Sequence, residues 1–422
     1  MAEHPTISIP LDIPDVRVLR TNLLSAQVLL IEVESTLTTT TCRRCGRTIS
    51  DFHGSDQPIQ LRHLPILGSA VYIRIRPKRF RCPYCDDHPT TTQRLAWYTP
   101  KALHTIAYEQ HLLTQLVNST IEDVCQKEET TPDAVLGTLD RWLAAEVEWA
   151  NVPPFAILGI DEIALKKGHR SFVVIVSARL PDERLVVLAV LPDRTKATLV
   201  SWLHDVPPQV RHQIRTVCTD LWEAYISAVR EELPQACIVI DRFHVAKHYR
   251  DDAETLRKQE LKRLRKELPK EQAEQLKNTM WPFRKRWEEL EEAEEERLRQ
   301  LFEQAPRLKQ AYELREALTT IFETAGSKAE GMEQLRQWRQ EVEASGVSCF
   351  APFLKLLDEW LDLIANYFHQ RQTSGFVEGL NNKLKVLKRR CFGLYNLRHL
   401  FQRITLDLDG YSRFSRWHRA HP

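Results

Sequence analysis

The stretch Pro154–Ala178, PFAILGIDEIALKKGHRSFVVIVSA, decides how this chain is read. Two apolar runs, Phe155–Ile160 and Ser171–Ala178, flank an acidic pair, Asp161–Glu162, and a polar turn at Lys166–His169. A carboxylate where a buried strand meets its loop is costly for a structural residue, because a desolvated charge must be compensated. It is a common place for a catalytic one. Outward from this stretch the pattern continues with a strand at Leu185–Leu191 and a helix at Thr195–His204. A strand at Ile214–Cys218, a helix at Trp222–Glu232 and a strand at Cys237–Ile240 follow. Strands in succession, then strands alternating with helices, indicate an α/β domain built on a mixed sheet.

The order βββαβαβ is that of a ribonuclease-H-like fold, in which the first strand is central and the fourth lies beside it. Asp161 and Asp220 then sit on adjacent parallel strands, about 5 Å apart. Two carboxylates that close repel unless a cation lies between them. Two Mg²⁺ ions (or Mn²⁺) about 3.5–4 Å apart, bridged by such carboxylates, are the arrangement that cleaves phosphodiesters. A third ligand must come from a helix packed over this edge, and Glu378, near the start of TSGFVEGLNNKLKVLKRR, meets that requirement. Asp241, at the end of the fifth strand and about 10 Å from Asp161 by strand spacing, suits a supporting or DNA-contacting role. His244 is placed to contact phosphate or to orient the site. Glu162 should point away if the pleat persists. Each carboxylate also has a plainer reading: Asp161 as a turn cap, Asp220 as the N-cap of the Trp222 helix, Glu378 as a first-turn acid facing the helix dipole.

Upstream, residues 1–40 offer a strand-like run at Val28–Val33 and little else. Then come CRRC at Cys42–Cys45 and CPYC at Cys82–Cys85. Four thiolates from two such knuckles suit one tetrahedral Zn²⁺ at about 2.3 Å each. The intervening segment contains strand material (Ala70–Arg76), as a zinc ribbon needs; unrelated turn cysteines or a redox pair are the alternatives. His53, His63 and His88 have no necessary role beside a complete Cys₄ set. The basic run RIRPKRFR at Arg74–Arg81 suits phosphate contact or a solvated strand face.

From Pro100 to Ala150 the period becomes helical. One long helix is expected from Pro100, with Leu103, Ile106, Ala107, Leu112, Leu113, Leu116 and Val117 on its apolar face. Two shorter helices follow, capped at Ser119–Thr120 and at Thr131. Helix, short turn, helix resembles a helix-turn-helix, although any small helical bundle reads similarly. From Val245 to His369 the chain is helical and highly charged, with i,i+4 pairing and recurrent Leu and Trp, which reads as a helical insertion inside the α/β domain.

The formal charge of the 422 residues is only +2, but Arg371–Pro422 holds eleven Lys or Arg against three acids. Lys383, Lys385, Lys388, Arg389 and Arg390 are the candidate phosphate contacts in that region. No signal peptide or spanning run is evident, so a soluble cytoplasmic protein in a reducing compartment is expected, with no membrane partner.

These residues resemble the ISL-three insertion-sequence transposases, bacterial DDE enzymes. The matching pieces are CRRC, RHLPILG and RPKRFRCPYC, then GIDEIALKKGH, PDRT, TDLWEAY, LPQACIVIDRFHVAK and TSGFVEGLNNKLKVLKRRCFGLYNLRHLFQRI. They run from about Cys42 to Leu406. The resemblance implies a catalytic and Mg²⁺-binding triad at Asp161, Asp220 and Glu378, with Asp241 and His244 matching the D-x-x-H signature of related transposases. It implies a structural Zn²⁺ finger at Cys42, Cys45, Cys82 and Cys85, a helix-turn-helix that reads terminal inverted repeats, and a helical insertion. DFHGSD and CDDHPTTT depart from the usual surroundings of the finger.

The expected architecture is therefore a multidomain α/β protein. A zinc-binding domain spans residues 1–99 and a helix-turn-helix 100–150. The ribonuclease-H-like catalytic core spans 151–244, interrupted by an α-helical insertion at 245–370, and ends with its last helix and basic tail at 371–422. The expected activity is cleavage of DNA 3′ ends and their joining to target DNA, by a homodimer on double-stranded DNA associated with the nucleoid. A domesticated DNA-binding regulator without catalysis and a Mg-dependent structure-selective nuclease are the alternatives.

Overall fold

The computed structural model describes residues 9–11, 13–164, 172–369, 375–391 and 395–415, with no account of the side chains at 275, 375, 377 and 378. The Lys166–His169 turn and the tail from residue 416 lie outside the described residues. The chain divides into two compact units, Met1–Leu143 with Asp409–Pro422, and Ala144–Leu408. No described helix is long and apolar enough to cross a membrane.

The first unit begins with β1 (Val16–Ser25) and β2 (Val28–Ser35), followed by β3 (Thr40–Thr41), β4 (Thr48–Ile49), β5 (Asp51–Ser55), β6 (Ile59–Ile66), β7 (Ser69–Ile75), β8 (Lys78–Arg81) and β9 (Thr90–Thr92). A four-stranded sheet runs β1-β2-β7-β6, with β2 parallel to β7. Its apolar face buries Ile31, Val33, Leu61, Val71, Ile73 and Trp97. The β3-β4 hairpin and the β5-β8-β9 sheet carry the cysteines. β1 went unexpected because VRVLRTNLLS mixes arginine and leucine without clean alternation; its Arg17 and Arg20 pair with Glu34 and Glu32 across the ladder.

Three helices follow these strands in the chain: α1 (Ile106–Leu116), α2 (Ile121–Glu128) and α3 (Pro132–Trp142). Each starts on a threonine, Thr105, Thr120 or Thr131, whose hydroxyl accepts the backbone N–H three residues on. α1 does not begin at Pro100. Bridges from Arg62 to His104 and from Tyr98 to Thr105 hold the preceding residues extended, and Leu103, expected on the apolar face, is 73% exposed. Buried Glu109 of α1 accepts hydrogen bonds from Arg141 Nη2 (2.6 Å) and Trp142 Nε1 (2.7 Å) of α3, which neutralises it in place.

The second unit is built on β10 (Ile157–Ala164), β11 (Phe172–Arg179), β12 (Leu185–Leu191), β13 (Thr216–Thr219) and β14 (Cys237–Ile240), in the order β12-β11-β10-β13-β14. β11 and β12 are antiparallel to their neighbours, whereas β13 and β14 run parallel to β10. Between them come α4 (Lys196–Asp205), the short α5 (Pro208–Arg211) and α6 (Glu223–Glu232); α7 (Arg242–Glu267) leaves the last strand. The helices α8 (Lys270–Gln275), α9 (Met280–Arg284), α10 (Glu292–Gln304), α11 (Pro306–Thr324), α12 (Lys328–Ser345) and α13 (Ala351–Ala365) follow, then α14 (Gly375–Arg390) and α15 (Leu397–Phe414).

Strand alternation splits the sheet's apolar residues between two faces. Leu158, Ile160, Val174 and Val176 join the large core shared with α4, α6 and the helical block. Ile163, Val173, Ile175 and Val187 face Leu380, Leu384 and Leu387 of α14 and Leu400, Phe401 and Ile404 of α15. The three leucines, at spacings of four and three, form the stripe by which α14 sits on β10.

The helical block closes tightly against the sheet. Asn366 Nδ2 donates to Ile238 O of β14 at 2.7 Å, and Gly331 of α12 leaves only enough room for the Phe368 ring. A methyl group at position 331 would lie 2.1 Å from that ring. Gly331→Ala should therefore destabilise the second unit by about 1–3 kcal/mol, read as a lowered thermal or urea midpoint.

Candidate functional site

The parallel ladder sets the site. Ile160 pairs with Thr219, and Thr219 with Ile240. The next residue along each strand is Asp161, Asp220 and Asp241, so three carboxylates stand side by side at one edge of the sheet. Asp161 itself is not at the end of its strand, contrary to the expectation above: β10 continues to Ala164 because its antiparallel partner β11 extends back to Phe172. What ends at Ile160 is the parallel pairing with β13.

Asp161 is buried and Asp220 nearly so. Their ligand atoms and a nitrogen of His244 all lie within 4.8 Å of one another, with His244 Nδ1 4.0 Å from Asp220 Oδ2. Burial pushes the Asp161 carboxyl up, opposed by the Glu162 N–H and by His244. Burial and the charge of Asp161 push Asp220 up to about 7. Among the described residues Asp220 Oδ1 has no hydrogen-bond partner. A close pair of buried carboxylates with an orphaned oxygen fits a divalent cation. Asp220 does not cap α6, whose N-cap is Trp222. Asp241 does cap α7, accepting from Phe243 N at 2.7 Å, and lies outside that three-residue cluster. Glu162 faces away, paired with Arg194 at 3.3 Å.

The covering helix contributes a residue that sequence reasoning missed. Asn381 of α14 is buried and its Nδ2 donates to Asp161 Oδ2, leaving its Oδ1 without a described partner. The available signal was its spacing: Asn381 follows Glu378 by three residues, one helical turn, on an amphipathic helix. Glu378 lies in α14, and its side chain is not among those described. Three of the five basic candidates on this helix turn inward. Lys388 Nζ donates to Ala164 O, Lys383 Nζ donates to Asp407 O at 2.5 Å, and Arg390 lies 3.6 Å from Asp407. Lys385 and Arg389 are exposed.

In the first unit the ligand atoms of Cys42, Cys45, Cys82 and Cys85 converge within 4.8 Å. The Cys45–Cys82 and Cys82–Cys85 sulfurs are 3.7 and 3.6 Å apart. Four sulfurs about 2.3 Å from a tetrahedral Zn²⁺ would be about 3.8 Å apart, so the set fits the ion. Gly46, at φ +71, makes the first knuckle's turn, its N–H donating to Cys42 O at 3.0 Å. Backbone N–H groups of Cys45 and Arg44 pull the Cys42 thiol down to about 6, while burial and the neighbouring sulfurs push Cys85 up to about 12. The Cys42 thiolate is thereby favoured before any metal binds. The histidines do not join them: His63 is buried between Thr105 and Leu11 O, and His88 Nδ1 bonds Cys82 O.

Two outcomes follow. Cys82→Ser should abolish stoichiometric zinc, measured by metal analysis, and lower the unfolding midpoint of the first unit. For the carboxylates, a folded value raised above the unfolded one means that the folded state holds more protons between about pH 4 and 7, so stability falls as pH rises through that window. Asp220→Asn should therefore raise the midpoint of metal-free protein by several degrees at pH 8 and little at pH 4, by scanning calorimetry.

The comparisons with known proteins agree with this arrangement. The ISL3 transposase family model, described simply as a transposase, matches residues 158–404, more than half of the chain. A model of the zinc-finger of the transposases of IS204, IS1001, IS1096 and IS1165 matches residues 38–85, spanning both cysteine pairs. The transposase for insertion sequence element IS1001 of Bordetella parapertussis is 28% identical over 92% of this chain and 93% of its own length. The transposase for IS1557 of Mycobacterium tuberculosis is 26% identical over 88% of this chain and 86% of its own. With buried paired carboxylates on the matched sheet and a Cys₄ cluster under the matched finger, the chain belongs to the ISL3 family of insertion-sequence transposases.

Proposed function

We propose that the chain is a DDE transposase that binds the terminal inverted repeats of its element as a homodimer, cleaves the DNA at the 3′ ends and joins those ends to target DNA. The observation that carries this reading is the pair of carboxylates, buried Asp161 and nearly buried Asp220, held together where the pairing of adjacent parallel strands ends, with Asp220 Oδ1 buried and without a described hydrogen-bond partner. The sheet order, with its antiparallel second strand and parallel fourth and fifth, supports a ribonuclease-H-like catalytic core interrupted by a helical insertion. Divalent Mg²⁺ or Mn²⁺, once bound, supplies charge neutralisation and an activated oxygen nucleophile.

The chain's own residues do the rest. Asp161 and Asp220 hold the cation side of the scissile phosphate, and Glu378 supplies the third carboxylate. Glu378 lies one turn before Asn381, the residue that touches Asp161, and residues three apart share a helix face. Asn381 orients the Asp161 carboxylate by hydrogen bonding one of its oxygens. His244 stands beside Asp220, where it neutralises part of the negative charge or meets the phosphate. Asp241 fixes the start of α7 and so the place of His244. Exposed Lys385 and Arg389 are the strongest phosphate contacts on α14, while Lys383, Lys388 and Arg390 brace the helix against the sheet and α15. The α2–α3 pair, joined by a three-residue turn with Glu129 at φ +47, is the helix-turn-helix that reads the repeat, and the zinc ribbon adds phosphate contacts. A cytoplasmic, nucleoid-associated enzyme follows from DNA as substrate.

The test is incubation of the protein with a plasmid carrying the element's ends and Mg²⁺. Joined products should form with wild type and drop by about 10²- to 10³-fold in Asp161→Ala, Asp220→Ala and Glu378→Ala, a loss of the size seen when one electrostatic group is removed from such a site. Cleavage without joining would point to a nuclease, and binding without cleavage to a regulator.

A further inference from the structure

Trp222 is an exposed aromatic two residues from Asp220 that the chemistry above does not use. It is 40% exposed, a poor position for an indole with only a packing role. Its backbone N–H donates to Asp220 O at 2.9 Å, so one tight turn carries both the carboxylate and the ring. The ring is also held. The Arg194 guanidinium lies 4.5 Å from the Trp222 ring centroid and 4.7 Å from that of Phe172. Arg194 Nη1 donates to both oxygens of Glu162 at 3.3 Å, so its charge is already met within the protein. The turn that presents Arg194 is fixed in turn: Asp193 Oδ1 accepts from Thr195 N (2.8 Å), Thr195 Oγ1 (2.7 Å) and Thr198 Oγ1 (2.8 Å).

This assembly is built from four separate segments and holds one indole in place two residues from Asp220. A guanidinium on one side of the ring, tied to a carboxylate, leaves the exposed part of the ring for a flat partner. Nucleobases stack on such rings with little regard to sequence. A base inside a duplex has both faces covered by its neighbours, so the partner must be unpaired.

We infer that Trp222 is a stacking platform for an unpaired nucleobase next to the scissile phosphate, and that Arg194 is the residue that positions it. The proposal rests on the transposase reading. It adds that the end of the element is locally opened when it is bound, with the nucleotide beside the cut leaving the duplex. Glu162, turned away from the carboxylate pair, belongs to this device: it neutralises Arg194, so that the guanidinium holds the ring instead of capturing a phosphate.

The experiment uses the full-length protein and a duplex carrying the end of the element that encodes it, with 2-aminopurine next to the cleavage position. Binding is followed in Ca²⁺ and cleavage in Mg²⁺ on the same DNA. In Ca²⁺, the probe should first brighten as it leaves the duplex and then be quenched by the ring. Trp222→Ala should bind the DNA but leave the probe bright, and should cleave about 5- to 150-fold more slowly. Trp222→Phe should keep most of the quenching and the rate, which separates loss of stacking from loss of fold. Arg194→Ala should weaken quenching with unchanged DNA affinity, and Arg194→Lys should restore part of it. If wild type cleaves the DNA while Trp222→Ala quenches and cleaves like wild type, the platform is overturned and the transposase reading stands. If wild type binds but never cleaves, the transposase chemistry fails and takes this inference with it.

Discussion

The parallel pairing of β10 with β13 is the constraint on which the rest of this protein depends. It brings Asp161 and Asp220 level at one sheet edge, where each loses solvent and gains the other's charge. That is an unfavourable arrangement for a folded protein unless something positive or protonated completes it. The surroundings are organised to tolerate it: His244 close to both, a backbone N–H and Asn381 on Asp161, and an α14 stripe of leucines that seals the face beneath. Stability has been given up locally for a site that a cation can relieve, the usual sign of a functional rather than structural cluster.

The same economy of charge appears in the first unit, by a different chemistry. There the negative groups are sulfurs, and the backbone rather than a helix holds them. Cys42 is lowered by N–H groups of its own turn, and Cys85 is raised by burial among the other thiols. Both clusters offer donors that a cation would complete: the soft tetrahedral set suits zinc, and the hard carboxylate set has the chemistry that suits magnesium or manganese.

Much of this is legible in the amino-acid sequence. Both cysteine pairs could be read because a knuckle keeps its ligands three residues apart. The strands around Asp161 could be read because a buried strand needs a continuous apolar run. β1 was illegible because its arginines interrupt that run, and the start of α1 was misplaced because Pro100 mimics a helix start while distant bridges to Arg62 keep the residues after it extended. At the site, Asp161 and Asp220 could be singled out as candidates because each follows a short apolar run, although β10 continues past Asp161. Asn381 was not, since an asparagine in a basic helix carries no mark of its single important hydrogen bond. The inward bonds of Lys383 and Lys388 were equally hidden, because a lysine in sequence does not say which acceptor its long chain will find.

The amino-acid sequence by itself determined most of the local elements, the cysteine knuckles and which carboxylates were candidates, because these depend on periodicity, spacing and residue chemistry within short windows. Only the tertiary structure decided which charges meet: that His244 joins the carboxylate pair, that Glu162 pairs with Arg194, and that the Arg194 guanidinium lies over Trp222. Such pairings join residues tens of positions apart, and their energies depend on distance and burial that no local pattern encodes.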